Sequence, residues 1–130
     1  LGNIYAKRDW GYAKDYIEAM WRMLQVKKPD DFVVATGKTY SVKDFINKCV
    51  KILKIRTRWI GKGLNEKLMD LDRKKPIIII DKKYFRPAEV NFLKGNYAKA
   101  NKILKWSPKT NLDKLAKIMI FSDLENVNNK

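Results

Sequence analysis

Histidine is absent from the chain, and cysteine occurs once, at Cys49. Without histidine the commonest general base and the commonest transition-metal ligand are both missing. Zinc chemistry and Ser-His or Cys-His catalysis are thereby excluded within these 130 residues. One cysteine rules out an internal disulfide and fits a reducing compartment, so a cytoplasmic location is expected. Cys49 falls on the apolar side of an expected helix, where a small buried thiol is the simpler reading than a nucleophile. The longest aliphatic run, Ile77-Ile78-Ile79-Ile80, is far too short to span a bilayer. No signal pattern opens the chain, and no membrane partner is expected.

Glycine-rich turns are missing too. A dinucleotide pyrophosphate normally rests on a G-x-G-x-x-G turn at a helix N-terminus. The nearest run here, Gly61-Lys62-Gly63, continues as Leu64, Asn65 and Glu66. Acidic residues are scarce, with 14 Asp and Glu against 29 Lys and Arg and a net charge of +15. Such a surface attracts polyanions. The excess is scattered lysine, however, and its densest cluster is only Arg73-Lys74-Lys75. No zinc-finger, helix-turn-helix or RNP signature occurs, so nucleic acid is not the expected partner.

The apolar pattern supports one small α/β layer. Tyr16, Ile17, Met20, Trp21 and Leu24 recur at offsets of three and four and predict a helix over 12–26 with one apolar face. Asp9 is placed to cap it or to sit in its first turn. Phe32 to Thr36 reads as a β-branched strand stopped at Gly37. Ser41-Val42-Lys43-Asp44 has capping-box spacing. The helix after it is expected to bury Phe45, Ile46, Cys49, Val50 and Leu53. Thr57 to Ile60 reads as a short strand and 61–75 as a polar, irregular loop. Ile77 to Ile80 reads as a strand covered on both faces. Tyr97 to Leu104 is a short helix. Thr110-Asn111-Leu112-Asp113 repeats the capping-box spacing before a last helix lined by Leu112, Leu115, Ile118, Met119 and Ser122. Residues 1–130 form one partial domain in this reading, with 126–130 a frayed polar tail.

Two strings stand apart from this scaffold: Arg8-Asp9-Trp10-Gly11 and Tyr84-Phe85-Arg86-Pro87-Ala88-Glu89-Val90. Arginine is a rigid, permanently charged fork that matches phosphate oxygens two at a time. Two such forks would clamp a diphosphate, whereas either one alone is equally an ordinary surface salt bridge. Pro87 restricts the backbone after Arg86.

Together with Leu1-Gly2-Asn3, the run Lys7 to Trp21 and Asp31 to Gly37, these strings resemble the GDP-mannose 4,6-dehydratases, a branch of the extended short-chain dehydrogenase/reductases. Gly95-Asn96, Lys99-Ala100, Leu104, Trp106, Pro108 and Leu112 resemble the closing segment of that wider group. Asn96 and Lys105 depart from the Asp and Gly usual there. The likeness runs from about Leu1 to Leu124 and covers only the C-terminal part of such enzymes. None of Tyr5, Tyr12, Tyr16, Tyr40, Tyr84 or Tyr97 has the catalytic Lys four positions on. The chain begins without Met and reads as a fragment or truncated copy.

The resemblance implies a C-terminal lobe of an extended Rossmann-type nucleotide-sugar dehydratase, lacking the N-terminal dinucleotide-binding half. GDP-mannose would be its ligand, NADP would belong to the missing half, and no catalytic residue would lie here. That half would be supplied in cis or in trans, and the complete enzyme would be a homo-oligomer. Arg8 and Arg86 are implied at the diphosphate or adjoining ribose. Glu89 is implied at the ribose hydroxyls, or alternatively as a partner orienting Arg86. Asn3 and Lys7 stand beside Arg8 and are candidate pocket residues, although Asn3 also suits a turn and Lys7 a solvated surface. Trp10 suits a core indole more than a stacking platform, and Trp59 is a candidate for reaching the base. Tyr84 and Phe85 are expected to pack behind Arg86. Two alternatives stay open: a lobe of another nucleotide-sugar dehydratase, epimerase or reductase, and a non-catalytic basic nucleotide- or nucleic-acid-binding module. The isolated lobe is expected to expose the surface that meets the missing sheet, and so to self-associate.

Overall fold

The computed structural model describes residues 1–86 and 90–128, which fall into two compact units. The first comprises Leu1–Ala6 and Ser41–Asn91, the second Lys7–Tyr40 and Phe92–Lys130. In chain order the elements are β1 (Lys7–Arg8), α1 (Ala13–Met23), β2 (Tyr40–Ser41), α2 (Val42–Ile52), β3 (Thr57–Ile60), β4 (Lys67–Asp70), β5 (Lys75–Ile79), α3 (Ala98–Leu104) and α4 (Leu112–Asn128). Short 3-10 turns occupy Gly63–Asn65 and Lys82–Tyr84.

In the first unit α2 starts as its sequence spacing requires. The Ser41 hydroxyl accepts from the Asp44 amide, and the Asp44 side chain accepts from the Ser41 amide, closing a capping box. Ile46 is buried on the helix, Cys49 and Val50 are half-buried, and Leu53 is exposed. Burial raises the Cys49 thiol above its ordinary value, which suits the packing reading over the nucleophile.

The expected loop over 61–75 is corrected. It contains β4, the middle strand of an antiparallel sheet ordered β3-β4-β5. Leu68 lies opposite both Trp59 and Ile78 and is fully buried with Ile4 and Ile46. The strand is short and its ends are charged, so pairing on both edges, rather than composition, makes it a strand. The isoleucine strand is corrected as well. Ile78 and Ile80 pack on the core while Ile77 and Ile79 are exposed, so one face is covered.

The second unit is built around Trp106, which is 1% exposed. Its indole Nε1 donates to the Asp15 carbonyl at 2.8 Å. The rings of Tyr16 and Tyr97 stand 6.2 and 5.9 Å from it, tilted and edge-on. Burying an aromatic ring of this size stabilises by roughly 4 kcal/mol. Ala19 and Ala100, both fully buried, belong to the same cluster where α1 packs on α3. Arg22 closes α3 by donating to the carbonyls of Leu104 at 3.0 Å and Lys105 at 2.7 Å. The departures in the closing segment are accommodated. Asn96 Oδ1 accepts from the Ala98 amide at 2.9 Å, and Lys105 takes the left-handed conformation at φ 54°.

Four further expectations are revised by the structure. Phe32 to Thr36 is extended, with Phe32 and Val34 against the Trp106 cluster, but it joins no sheet among the described residues. The residue capping α4 is Asn111, whose Oδ1 accepts from the Lys114 amide at 2.9 Å, not Thr110. On that helix Leu112, Leu115 and Ala116 are buried, whereas Met119 and Ser122 are exposed. The apolar face read on α1 is turned to solvent: Ile17, Met20, Trp21 and Leu24 are all exposed. Of the residues read on that face only Tyr16 packs inward, and Ala19 and Met23 join it to carry the packing.

Candidate functional site

Arg8 sits in β1, half-buried, with its Nη1 donating to the Lys7 carbonyl at 2.9 Å. The backbone before it is held by a parallel bridge between Lys7 and Phe92, and the Lys7 carbonyl also accepts from the Leu93 amide at 3.2 Å. The Lys7 side chain is exposed. Asp9 neither caps α1 nor lies in its first turn; Tyr12 is the extended residue before that helix and has no side-chain cap bond. The Asp9 carboxylate reaches across the unit instead. Oδ1 accepts from the Thr36 amide at 2.8 Å and from the Thr36 hydroxyl, and Oδ2 accepts from the amides of Gly37 at 2.9 Å and Gly95 at 3.1 Å.

The glycines at this latch have distinct reasons to be there. Gly37 holds φ +72°, a conformation that strains other residues. A Cβ on Gly95 would lie 2.2 Å from that of Ala35. Gly11 is constrained by Tyr16, whose hydroxyl would be 1.9 Å from an added Cβ. Burial raises the Tyr16 phenol above its ordinary value, and the negative charges of Asp9 and Asp15 add to the effect. A shallow cleft of about 360 Å³ opens beside the latch, lined by Gly37, Lys94, Gly95, Asn96 and Tyr97.

In the first unit Asn3 takes the turn role: its Oδ1 accepts from the Tyr5 amide at 2.9 Å. It also lines a narrow cavity of about 30 Å³ with Gly2, Tyr5, Gly63, Ile80 and Phe85. Gly63 and Phe85 are shared with a wider, apolar hollow of about 340 Å³ that adds Leu64 and Lys82. Gly2 allows the close approach of the Tyr84 carbonyl, which would stand 2.1 Å from a Cβ there. Tyr84 and Phe85 do not bury themselves behind Arg86; both are exposed, and so is Arg86. Glu89, with Pro87 and Ala88, lies outside the described residues. The structure thus places Lys7 and Arg8 together in one unit, and Asn3 close to Phe85, the residue before Arg86, in the other.

Trp59 is already engaged. Its Nε1 donates to Asn47 Oδ1 at 2.8 Å, and the Lys43 ammonium lies 4.7 Å from its ring centroid. It therefore belongs to a polar network that sequence reasoning missed. Glu66, 4% exposed, accepts from Lys43 Nζ at 2.6 Å and from the Tyr5 hydroxyl at 2.7 Å. Burial opposes ionisation of Glu66, but the bonds from Lys43 and Tyr5 outweigh it and hold its carboxyl below the ordinary value. Burial likewise works against the charge on Lys43, yet its bonds to Glu66 and Tyr5 raise its pKa on balance. Residues 5, 43 and 66 are too far apart in sequence for any local pattern to join them. The network pairs its charges fully and serves packing. Among the described residues no group of acidic or cysteine side chains is arranged to hold a metal, and no helix is long and apolar enough to cross a membrane.

The family model for GDP-mannose 4,6 dehydratase matches residues 1–119. The GDP-mannose 4,6 dehydratase of Dictyostelium discoideum is 49% identical over 129 residues, which is 99% of this chain and 36% of the relative. The chain thus spans about a third of the length of the curated relatives it matches. A UDP-glucose 4-epimerase from Thermotoga maritima, solved with UDP-glucose, superposes with a TM-score of 0.69 at 19% identity, over 98% of this chain and 34% of that one. RMD from Pseudomonas aeruginosa, complexed with NADPH, gives 0.65 at 18% identity, over 89% of this chain and 32% of that one. The expected α/β fold is borne out by these likenesses.

Proposed function

The chain belongs to the GDP-mannose 4,6-dehydratase family, and from that premise we propose that it is the GDP-mannose-binding portion of such an enzyme. The whole enzyme would be a lyase converting GDP-mannose to GDP-4-dehydro-6-deoxymannose and water, on the route to fucose-type sugars. The observation that carries this reading is the family match across residues 1–119, which takes in both arginine motifs. Arg8 and Arg86, each within its own unit, are the bidentate forks offered to the diphosphate or adjoining ribose. Glu89 is offered either to the ribose hydroxyls or to Arg86 as the partner that orients it. Asn3, whose oxygen is engaged with Tyr5, offers its amide donors, and Lys7 adds positive charge beside Arg8 in sequence. Their contribution is binding energy remote from the reacting carbon, which positions the sugar.

The starts of α1 and α2 do not suit a pyrophosphate. The first turn of α2 is closed by its own capping box, and α1 carries the carboxylate of Asp15 in its first turn, which disfavours an anion. These features support a cofactor held by residues outside this chain, and the 130 residues alone are expected to be inactive. The exposed face of Ile17, Met20, Trp21 and Leu24 is where the rest of the fold, in cis or in trans, would cover α1. The complete enzyme would be a cytoplasmic homo-oligomer.

Calorimetric titration of the chain with GDP, UDP and a short DNA duplex at two salt concentrations tests the reading. GDP should bind more tightly than UDP, and Arg86→Ala should weaken GDP by about 10- to 100-fold, the worth of a charge-assisted bond pair. Absence of GDP binding would overturn it. So would tight duplex binding that falls steeply with salt, the mark of a general polyanion binder.

A further inference from the structure

The Asp9 carboxylate does more than a surface acid next to an arginine would do. It takes four hydrogen bonds, two on each oxygen, from three main-chain amides and one hydroxyl. The donors come from two distant stretches, Thr36–Gly37 and Gly95. All four hold a negative charge through dipoles, so they are of the stronger, charge-assisted kind. Asp9 directly follows Arg8, and consecutive Cα atoms lie only about 3.8 Å apart. On the other side of Arg8, Lys7 is bridged to Phe92 and bonded to Leu93. The backbone of Arg8 is therefore pinned immediately before and immediately after its side chain.

We propose that Asp9 is a positioning residue for ligand binding: by latching onto Thr36, Gly37 and Gly95 it fixes the Arg8 backbone, so that the guanidinium is presented to the diphosphate in one place. This rests on the GDP-mannose reading above. A loop left free to move would spend part of the Arg8 interaction on its own ordering. A misplacement of about 1 Å at a binding fork is enough to cost up to about 100-fold in function. The close-packed glycines belong to the same device. A side chain on Gly95 would collide with Ala35, and the Gly95 amide would leave Asp9.

A double-mutant cycle tests the proposal against the plainer role of a staple for the unit. GDP affinity is measured by calorimetry on the full 130-residue chain and on Arg8→Ala, Asp9→Ala and the double variant. Asp9→Ala should weaken GDP by about tenfold in the native background and by less than about twofold once Arg8 is gone, because it acts through Arg8. Equal losses in both backgrounds would overturn positioning and leave only a staple, and so would unchanged GDP affinity in Asp9→Ala. If circular dichroism shows Asp9→Ala to be unfolded, Thr36→Val replaces it in the cycle. That change removes one of the four bonds and should cost about two- to threefold, again only while Arg8 is present. Failure of the unsubstituted chain to bind GDP would sink the ligand reading itself, and this inference with it. Normal GDP binding with an additive cycle would sink the inference alone.

Discussion

Replacing Asp15 by alanine should destabilise the Trp106 unit by about 2–4 kcal/mol, far more than an ordinary surface aspartate would. Asp15 lies in the first turn of α1 and is 8% exposed. Its Oδ2 accepts from the amides of Lys109 at 3.0 Å and Thr110 at 2.8 Å. Thr110 is 5% exposed, so without the carboxylate its N–H has no water to turn to. An unsatisfied buried donor costs about 1–3 kcal/mol, and losing the second, partly exposed bond adds about 1. The bond from Trp106 to the Asp15 main-chain carbonyl survives the substitution, so the loss reports the side chain alone. Asn at this position keeps one oxygen for the same pair of amides and forfeits only the ionic part, about 1 kcal/mol. Urea unfolding followed by far-ultraviolet circular dichroism measures the global loss. Amide exchange at Thr110 measures the local one, and its protection should fall most in Asp15→Ala. Unfolding of Asp15→Ala within about 0.5 kcal/mol of the parent, or equal damage from Asp15→Asn, would refute this role of the carboxylate.

Lys105 holds φ 54°, where a Cβ is strained. Lys105→Gly should therefore stabilise by up to about 1 kcal/mol, seen as a higher Tm; the accepting carbonyl for Arg22 is retained. The Glu66–Lys43 pair should make stability depend on pH at both extremes. Glu66 is depressed below 4.5, so its contribution is complete above that value and is lost as pH falls through its lower folded pKa. Lys43 is raised above 10.5, so its contribution is complete below that value and is lost as pH rises through its higher folded pKa. Glu66→Gln should flatten the acid limb of a Tm-against-pH curve; an unchanged acid limb would refute the assignment. Trp21→Lys should reduce self-association of the chain in sedimentation velocity while shifting stability by no more than about 0.5 kcal/mol, because Trp21 is 61% exposed.

Features made within a few residues are legible in the sequence alone. The Ser41–Asp44 capping box forms as spaced, because both of its bonds join positions three apart. Helices at 13–23, 42–52 and 98–104 stand where the sequence places them, and β3 follows from its β-branched and aromatic residues. Membership of the family was legible in two strings that hold arginine among residues of restricted backbone. Local composition misled wherever a partner from afar makes the decision. Lys67–Asp70 reads as loop but becomes the central strand, since β3 and β5 bond to its two edges. Phe32–Thr36 reads as strand but finds no ladder among the described residues, because β propensity alone supplies no partner.

What the sequence by itself determined is therefore the Ser41–Asp44 capping box and the absence of histidine and of a dinucleotide turn. Tertiary structure decided which face of α1 is buried, which charges are paired in the Tyr5–Lys43–Glu66 network, and what Asp9 does. By sequence Asp9 stands beside a helix start and looks like its cap. Its bonds go instead to residues 27, 28 and 86 positions away, and only the folded chain brings them within hydrogen-bonding reach. A carboxylate goes wherever the most donors converge, and convergence is a property of packing, not of sequence distance.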